Sequence, residues 1–334
     1  MSFKQFIRSR HFKFLVAKLL FTLVVMIWLF HKVDVSRVWR AMRDASPGPF
    51  LLGVLLCLTT VLIASSRWQM VLRIIQIHAP YWFLVGIAQT GQFFSMFLPG
   101  PAGDDFTRML YIARFAKGRV GEACATVVID RAIGLASVLL LAGACLPFHW
   151  HLLTSSRQTY WIALSIMMAG LVALAGMLVF FLVPQSAAER WAARWLPGRE
   201  ESSVHIRILR MWGSLCAGKA AIAGVLVRAI GTQLTVCAFY YLAGYAVGIR
   251  TPFAVWLGFV PVVLAANSFP MTVAGLGVRE YLFILFLGVL AGVDEEHALS
   301  ASLLAFAIIF LTALFGGLVY VVFRPRKTTE PAMA

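Results

Sequence analysis

Long apolar segments alternate with short polar and basic ones along the chain. Six of these segments are apolar enough to span a bilayer, because a spanning helix needs about 20 mostly apolar residues. They cover residues 14–31, 49–66, 122–147, 160–183, 220–247 and 298–323. The pattern predicts an all-α fold, a polytopic transmembrane helical bundle, and any activity must then lie among the helices.

Two further apolar segments are interrupted by proline and glycine. Residues 82–115 break at LPGPAGDD (98–105), and residues 253–292 break at FPMTVAGLG (269–277). A break facing lipid would strand backbone polar groups at membrane depth, so each must be buried in protein or line a cavity. Paired breaks of this kind are typical of transporter sites. We expect two re-entrant hairpins, with break residues Pro99, Gly103, Asp104 and Asp105 in the first and Pro270, Gly275 and Gly277 in the second.

The basic residues predict how the helices are oriented. With both broken segments as hairpins, 18 of the 29 Lys and Arg residues lie on the cytoplasmic side and 6 on the other, and both termini are cytoplasmic. A single transmembrane domain (1–334) then consists of two inverted halves, about 1–150 and 151–325, with a short polar tail (324–334). The loop 31–48 is an exception, because it places four basic residues outside.

Composition agrees with a membrane protein. Hydrophobic residues make up 61% of the chain and charged residues 13%, whereas soluble domains carry about 25% charged residues. The net charge of +15 comes from basic residues at the ends of apolar segments, where they meet anionic lipid, so we expect no nucleic-acid partner. Scattered cysteines and histidines indicate no disulfide framework, metal site or cofactor, and the absence of hydrolase, metalloprotease and P-loop motifs favours a protein that is not an enzyme.

Charged residues inside the predicted spans are candidates for function. Asp130 and Arg131 lie eight and nine residues into the span that begins at residue 122, where an ionised side chain costs about 2.5–3.5 kcal/mol. Adjacent residues on a helix do not face each other, so each needs a partner elsewhere. We expect Asp130 to pair with an arginine such as Arg108 or Arg279, and Arg131 with an acidic residue of a hairpin, such as Glu280 or Asp105.

The arginines of the hairpins suggest an anion site. Arg108 and Arg279 each lie nine residues after a proline of the break, in the second helix of a hairpin. The N-terminus of a half-helix attracts anions, and a guanidinium matches the geometry of phosphate. The predicted substrate-binding residues are Arg108, Asp130, Arg131, Arg279 and Glu280. Two alternatives remain: the charges form ion pairs that only lock the bundle, and Asp104 caps a helix or, with Asp105, carries a cation or proton.

Four motifs carry a resemblance to a known family. They are Arg67-Trp68, LPGPAGDDFTR (98–108), Asp130-Arg131 and FPMTVAGLGVRE (269–280). In these the chain resembles the lysylphosphatidylglycerol synthase transmembrane-domain family, also called flippase-like membrane proteins. It departs from the family pattern at Ser95-Met96, at Ala102 and at Ala274, where the family has an asparagine and two glycines.

The resemblance implies a multi-pass lipid translocator of the bacterial inner membrane. We expect no counterpart of the soluble synthase to which some members are fused. The predicted function is movement of an anionic phospholipid or lipid-linked headgroup between leaflets. Two alternatives stay open: a membrane enzyme acting on lipid-linked substrates, with acidic break residues as acid or base, and a non-transporting scaffold for a separately encoded lipid-modifying enzyme.

Overall fold

The computed structural model describes residues 35–96, 102–150, 156–182, 218–268 and 276–322. Within these ranges the chain is all-α, as predicted, with ten α-helices and one 3₁₀ turn (Leu146–His149). The helices are α1 Val35–Arg43, α2 Pro47–Ile74, α3 Tyr81–Ser95, α4 Ala102–Phe115, α5 Val120–Cys145, α6 Arg157–Leu182, α7 Lys219–Ala246, α8 Phe253–Ser268, α9 Val278–Ala291 and α10 Glu295–Val322.

Five helices of the described chain are long and apolar enough to cross a membrane, namely α2, α5, α6, α7 and α10. They correspond to five of the six predicted spans, and the span predicted at 14–31 lies outside the described residues. Helix α2 starts with a proline, which is tolerated where the first-turn N–H groups have no partner. It also continues past the predicted end at residue 66 to Ile74, because Arg67 and Trp68 are buried in protein instead of facing water.

The two interrupted segments form two pairs of short helices, α3 with α4 and α8 with α9, and the members of each pair pack together. Gly103 permits close packing in the first pair, since a Cβ there would lie 2.7 Å from the carbonyl oxygen of Phe94. In the second pair, Gly277 precedes α9 with a φ of +91°, which glycine adopts without strain. The break residues Pro99, Pro270 and Gly275 lie outside the described residues.

Helices α2 and α7 pack along each other at the centre of the bundle. Around them, the other helices make a matching set of contacts in each half. In the first half, α2 contacts α3 and α5, and α4 packs on α5. In the second half, α7 contacts α8 and α10 in the same way, and α9 packs on α10. The first helix of each short pair also packs against the other half, α3 against α10 and α8 against α5. Each short pair therefore contacts helices of both halves.

Two opposite faces of the bundle can be identified from contacts at helix ends. At the first face, the N–H of Ser46 before α2 donates to the carbonyl oxygen of Ala246 at the end of α7, at 2.9 Å. At the second face, Arg119 before α5 donates to the carbonyl oxygen of Ile75 after α2, at 2.7 Å. Because the α3–α4 pair lies between Ile75 and Arg119 in the chain, both of its ends are at the second face.

The basic loop that departed from the charge pattern contains helix α1, at the first face. Val38 and Met42 of α1 pack against Leu299 near the start of α10. The arginines of α1 therefore belong to a short amphipathic helix docked on the bundle and not to an unstructured loop.

Close packing between α3 and α10 can be tested at Gly316. A Cβ at this position would meet the backbone carbonyl of Gln89, which cannot swing aside as a side chain can. We expect Gly316→Ala to destabilise the protein by about 1–3 kcal/mol. Gly231→Ala in α7 is the control, because nothing lies within 4 Å of its added Cβ. Thermal unfolding in detergent should show a lower Tm for the first variant only, and equal Tm values would contradict the α3–α10 contact.

Candidate functional site

A cavity of about 470 Å³ lies between the two halves of the bundle. Helices α2, α4 and α5 line it from the first half, and α7 and α8 line it from the second. We call it the central cavity. Its charged lining residues are Arg67, Arg108, Arg131, Asp104, Asp105 and Asp130.

Asp130 is the centre of the charged network. Its carboxylate is 2% exposed and accepts two hydrogen bonds from Arg67, from Nε at 2.7 Å and from Nη2 at 2.9 Å. Nη1 of Arg108 donates to the same carboxylate at 3.3 Å. A bidentate guanidinium–carboxylate pair is among the strongest polar contacts available in a protein. Asp130 thus joins α5 to both α2 and α4.

Arg108 is held from several sides. Its Nε donates to Asp104 at 2.9 Å, a contact between residues four apart on one face of α4. Its guanidinium also lies 5.4 Å from the ring centroid of Trp68, a distance suited to a cation–π interaction. The indole N–H of Trp68 donates to Thr126 at 3.1 Å, which fixes the ring. Arg108 is therefore positioned before any ligand arrives.

Arg131 and Asp105 form a separate ion pair between α5 and α4. This pair is more open than the Asp130 cluster, with side chains 37% and 25% exposed. Both residues line the central cavity, so it contains three arginines and three aspartates. Arg131 is the most exposed of the three arginines and is therefore the one best placed to exchange its partner for an entering group.

Uncharged polar groups line the wall on the side of the second half. Nε2 of Gln233 in α7 donates to Ser137 at 3.2 Å. Asn267 lies next to the end of α8, and its Oδ1 is buried without a hydrogen-bond partner in the described part of the chain. An unpartnered buried acceptor is rare because it loses its bond to water. Asn267 can therefore accept a hydrogen bond from water or from a ligand in the cavity.

A second charged cluster lies at the start of α9, away from the central cavity. Arg279 is 2% exposed, and its Nε donates to Glu280 at 3.1 Å and to Ser302 of α10 at 3.1 Å. The other oxygen of Glu280 accepts from the N–H of Gly277 at 2.5 Å. The carboxylate of Glu280 thus occupies the helix N-terminus where the sequence suggested a ligand anion. In this conformation the cluster is sealed from solvent.

The structure places the predicted site residues in two groups. Asp104, Asp105, Arg108, Asp130 and Arg131 line the central cavity, whereas Arg279 and Glu280 belong to the sealed cluster. Asp130 has Arg108 as one partner and Arg131 has Asp105, both of which were among the expected pairs.

Arg67 is the residue that sequence reasoning did not select. It stands one residue past the apolar segment 49–66, where an arginine is normally interfacial. The Arg67-Trp68 motif was the available signal, because both of its side chains contact the charged network.

Among the described residues, no group of three or more His, Cys, Asp or Glu side chains is arranged to hold a metal ion. The charged network instead consists of arginine–aspartate pairs. Such pairs can bind and release a charged group by exchanging partners.

One comparison with known proteins identifies relatives. A family model described as the lysylphosphatidylglycerol synthase TM region matches residues 15–317, most of the chain. No curated protein matches the chain.

The central role of Asp130 predicts a large effect of Asp130→Asn on stability. The variant leaves Arg67, which is 6% exposed, without its carboxylate, and an unpaired buried charge costs about 3–5 kcal/mol. Asp105→Asn makes the same chemical change in the more exposed pair and should cost less than about 1 kcal/mol. Thermal unfolding of the two purified variants tests this, and similar losses in both would contradict the central position of Asp130.

Proposed function

This chain belongs to the lysylphosphatidylglycerol synthase TM region family, and from that premise we propose that it moves membrane lipids between leaflets. The protein is an integral multi-pass membrane protein with five long apolar helices in its described part. In the proposed reaction the headgroup of an anionic phospholipid or lipid-linked compound passes through the central cavity. The acyl chains stay in the bilayer, and no covalent bond of the lipid changes.

The observation that carries the proposal is a charged cavity at mid-membrane depth. Asp130 is the eleventh residue of α5, about 15 Å along a helix axis that must cross a hydrocarbon core of about 30 Å. Charges at this depth are characteristic of substrate and ion pathways. A volume of about 470 Å³ is within the range of small-molecule sites, about 300–1,000 Å³, and is suited to a lipid headgroup.

The ion pairs suggest how a headgroup is handled. The phosphate of the lipid displaces Asp105 from the exposed guanidinium of Arg131, so Arg131 keeps an anionic partner while the headgroup enters and the partly exposed carboxylate of Asp105 is released into the cavity. Arg67 and Asp130 remain paired and hold the wall together, because their contact is bidentate and buried. Arg108, which bridges Asp104 and Asp130, provides the next guanidinium deeper in the network.

An inverted repeat would explain how the cavity can serve both leaflets. The helices correspond in order, α2 to α7, α3 to α8, α4 to α9 and α5 to α10. When each helix is replaced by its counterpart, the same pairs of helices are in contact. Both ends of the α3–α4 pair are at the second face. Gly248 and Arg250 before α8, and Asp294 after α9, line one cavity at the first face. The two pairs therefore act as re-entrant hairpins from opposite sides, an arrangement that places transporter sites near the midplane.

Basic residues give this bundle its sidedness. With the second face in the cytoplasm, the positive-inside rule holds for most of the chain and both termini are cytoplasmic. The proposed location is the bacterial inner membrane. A separately encoded lipid-modifying enzyme is the proposed source of the transported lipid.

Flipping should depend on the arginines of the central cavity. In proteoliposomes with a labelled anionic phospholipid, we expect Arg131→Gln and Arg108→Gln to slow transfer about tenfold or more, because each loses a charge-assisted hydrogen bond worth about 1.5–3 kcal/mol. Arg228→Gln is the matched control. Arg228 lies on α7 and binds Ser66 at 3.1 Å, outside the cavity lining, so this variant should flip at the wild-type rate.

Three results would separate the rival functions in that assay. Folded wild-type protein that flips none of the tested lipids would contradict a translocator and support a scaffold. Appearance of a chemically altered lipid would support a membrane enzyme. Equal slowing in the Arg228→Gln control would show that the effect does not arise in the cavity.

The re-entrant arrangement predicts a labelling pattern for exposed cysteines. In a background free of native cysteines, His78→Cys and Lys117→Cys, on either side of the α3–α4 pair, should react with a membrane-impermeant reagent from the same, cytoplasmic side. Glu295→Cys, at the start of α10, should react only from the opposite side. Labelling of His78→Cys and Lys117→Cys from different sides would show that the α3–α4 segment crosses the membrane.

A further inference from the structure

A second cavity, of about 770 Å³, lies at the first face of the bundle. It is formed by α1 and the residues after it, by the segment from the end of α7 towards α8, and by the start of α10, and it shares no lining residue with the central cavity. We call it the first-face cavity. Its charged lining residues are the arginines Arg37, Arg40 and Arg250 and the acidic residues Asp44, Asp294 and Glu296.

Two of the acidic residues are already committed to protein partners. Asp294 accepts the backbone N–H of His297 at 3.1 Å and contacts the ring Nδ1 of His297 at 2.7 Å. Burial raises the pKa of Asp294, but the contacts with His297 outweigh it and the pKa is lowered, so this carboxylate stays ionised. Glu296 pairs with Arg37 at 3.7 Å. Because these two carboxylates already have partners, the charged side chains that can bind a ligand are those of Arg40, Arg250 and Asp44.

Arg40 and Arg250 have hydrogen-bond donors to spare. In the described part of the chain, the guanidinium of Arg40 donates only from Nε, to the carbonyl oxygen of Ser36 at 3.3 Å. Arg250 donates from Nη1 to the carbonyl oxygen of Tyr245, and its guanidinium lies 3.8 Å from the centroid of that tyrosine ring. A guanidinium carries five N–H donors. Both groups are thus anchored at one point and can donate to a ligand with the rest.

The two guanidinium groups with spare donors suit a phosphodiester. Asp44 is the one acidic lining residue without an ion-pair or hydrogen-bond partner for its carboxylate among the described residues. Arg40 and Arg250 thus supply two positive charges against one negative charge from Asp44, although over the whole lining three arginines balance three acidic residues. A phosphodiester carries one negative charge and binds guanidinium groups through paired N–H donors.

Helix α1 places this cavity at the level of lipid headgroups. Val38 is buried against α10, whereas Trp39 is 67% exposed beside Arg40. An amphipathic helix with an exposed tryptophan and arginines is typical of the membrane–water interface. A phosphate at this depth is therefore most accessible as part of a lipid.

We propose that the first-face cavity binds the phosphodiester of an anionic phospholipid between Arg40 and Arg250. The binding itself does not require translocation. If the protein moves lipids as proposed above, this is where the headgroup is held on the side opposite to the one from which α3 and α4 enter.

The test is equilibrium binding of short-chain phosphatidylglycerol to the full chain purified in a maltoside detergent. We expect the double variant Arg40→Gln/Arg250→Gln to bind at least about tenfold more weakly, because charge-assisted hydrogen bonds from both guanidinium groups are lost. Arg43→Gln removes one arginine of the same helix that is exposed and does not line the cavity. Its affinity should stay within about twofold of wild type. Asp44→Asn should bind more tightly, because it removes a repelling charge.

Several outcomes would overturn the site. Unchanged affinity in the double variant, with Tm and elution volume like wild type, would exclude Arg40 and Arg250. Inorganic phosphate binding as tightly as the lipid would exclude a lipid site, and weaker binding by Asp44→Asn would exclude an anionic headgroup. Loss of binding in Arg131→Gln alone would move the ligand to the central cavity. Binding that persists in protein that flips no lipid would leave this site intact and refute only the translocation proposal.

Discussion

An unpaired charge inside a bilayer has a high free energy, and one buried carboxylate provides the counter-charge for two arginines. Asp130 accepts from Arg67 and Arg108, so α2, α4 and α5 cannot separate without exposing an ion in a medium that solvates it poorly. The short helix α4 has too little apolar surface to be anchored by lipid contact alone. Its position, and with it that of the exposed Arg131–Asp105 pair, depends on this shared carboxylate.

The two halves have matching helix contacts but different electrostatics. In the first half the charges line a cavity, whereas in the second half Arg279, Glu280 and Ser302 close on one another and on the start of α9. A helix N-terminus that carries its own glutamate needs no external anion. The same framework therefore holds one charged cluster that lines a cavity and one that is sealed.

Hydropathy was sufficient to locate five spans and both broken segments, because a lipid solvent leaves few ways to satisfy backbone polar groups. It did not identify the partners of the buried charges. The apolar segment ends just before Arg67, which predicts an interfacial arginine, whereas buried contacts continue the helix to Ile74. The docking of α1 on α10 is also not predicted by the sequence, since nine residues with five apolar positions do not reveal which surface they cover.

Each short helix pair rests against the last long helix of the opposite half, and this has a consequence for biosynthesis. Helix α3 meets Gly316 and Gly317 of α10 only when α10 has been made. Until then the first half is inserted with polar backbone and the Gln89 side chain, which later donates to α10 at 2.6 Å, without their final neighbours. The packing of α3 is therefore completed only after α10 is inserted, and the two halves mature together instead of in sequence.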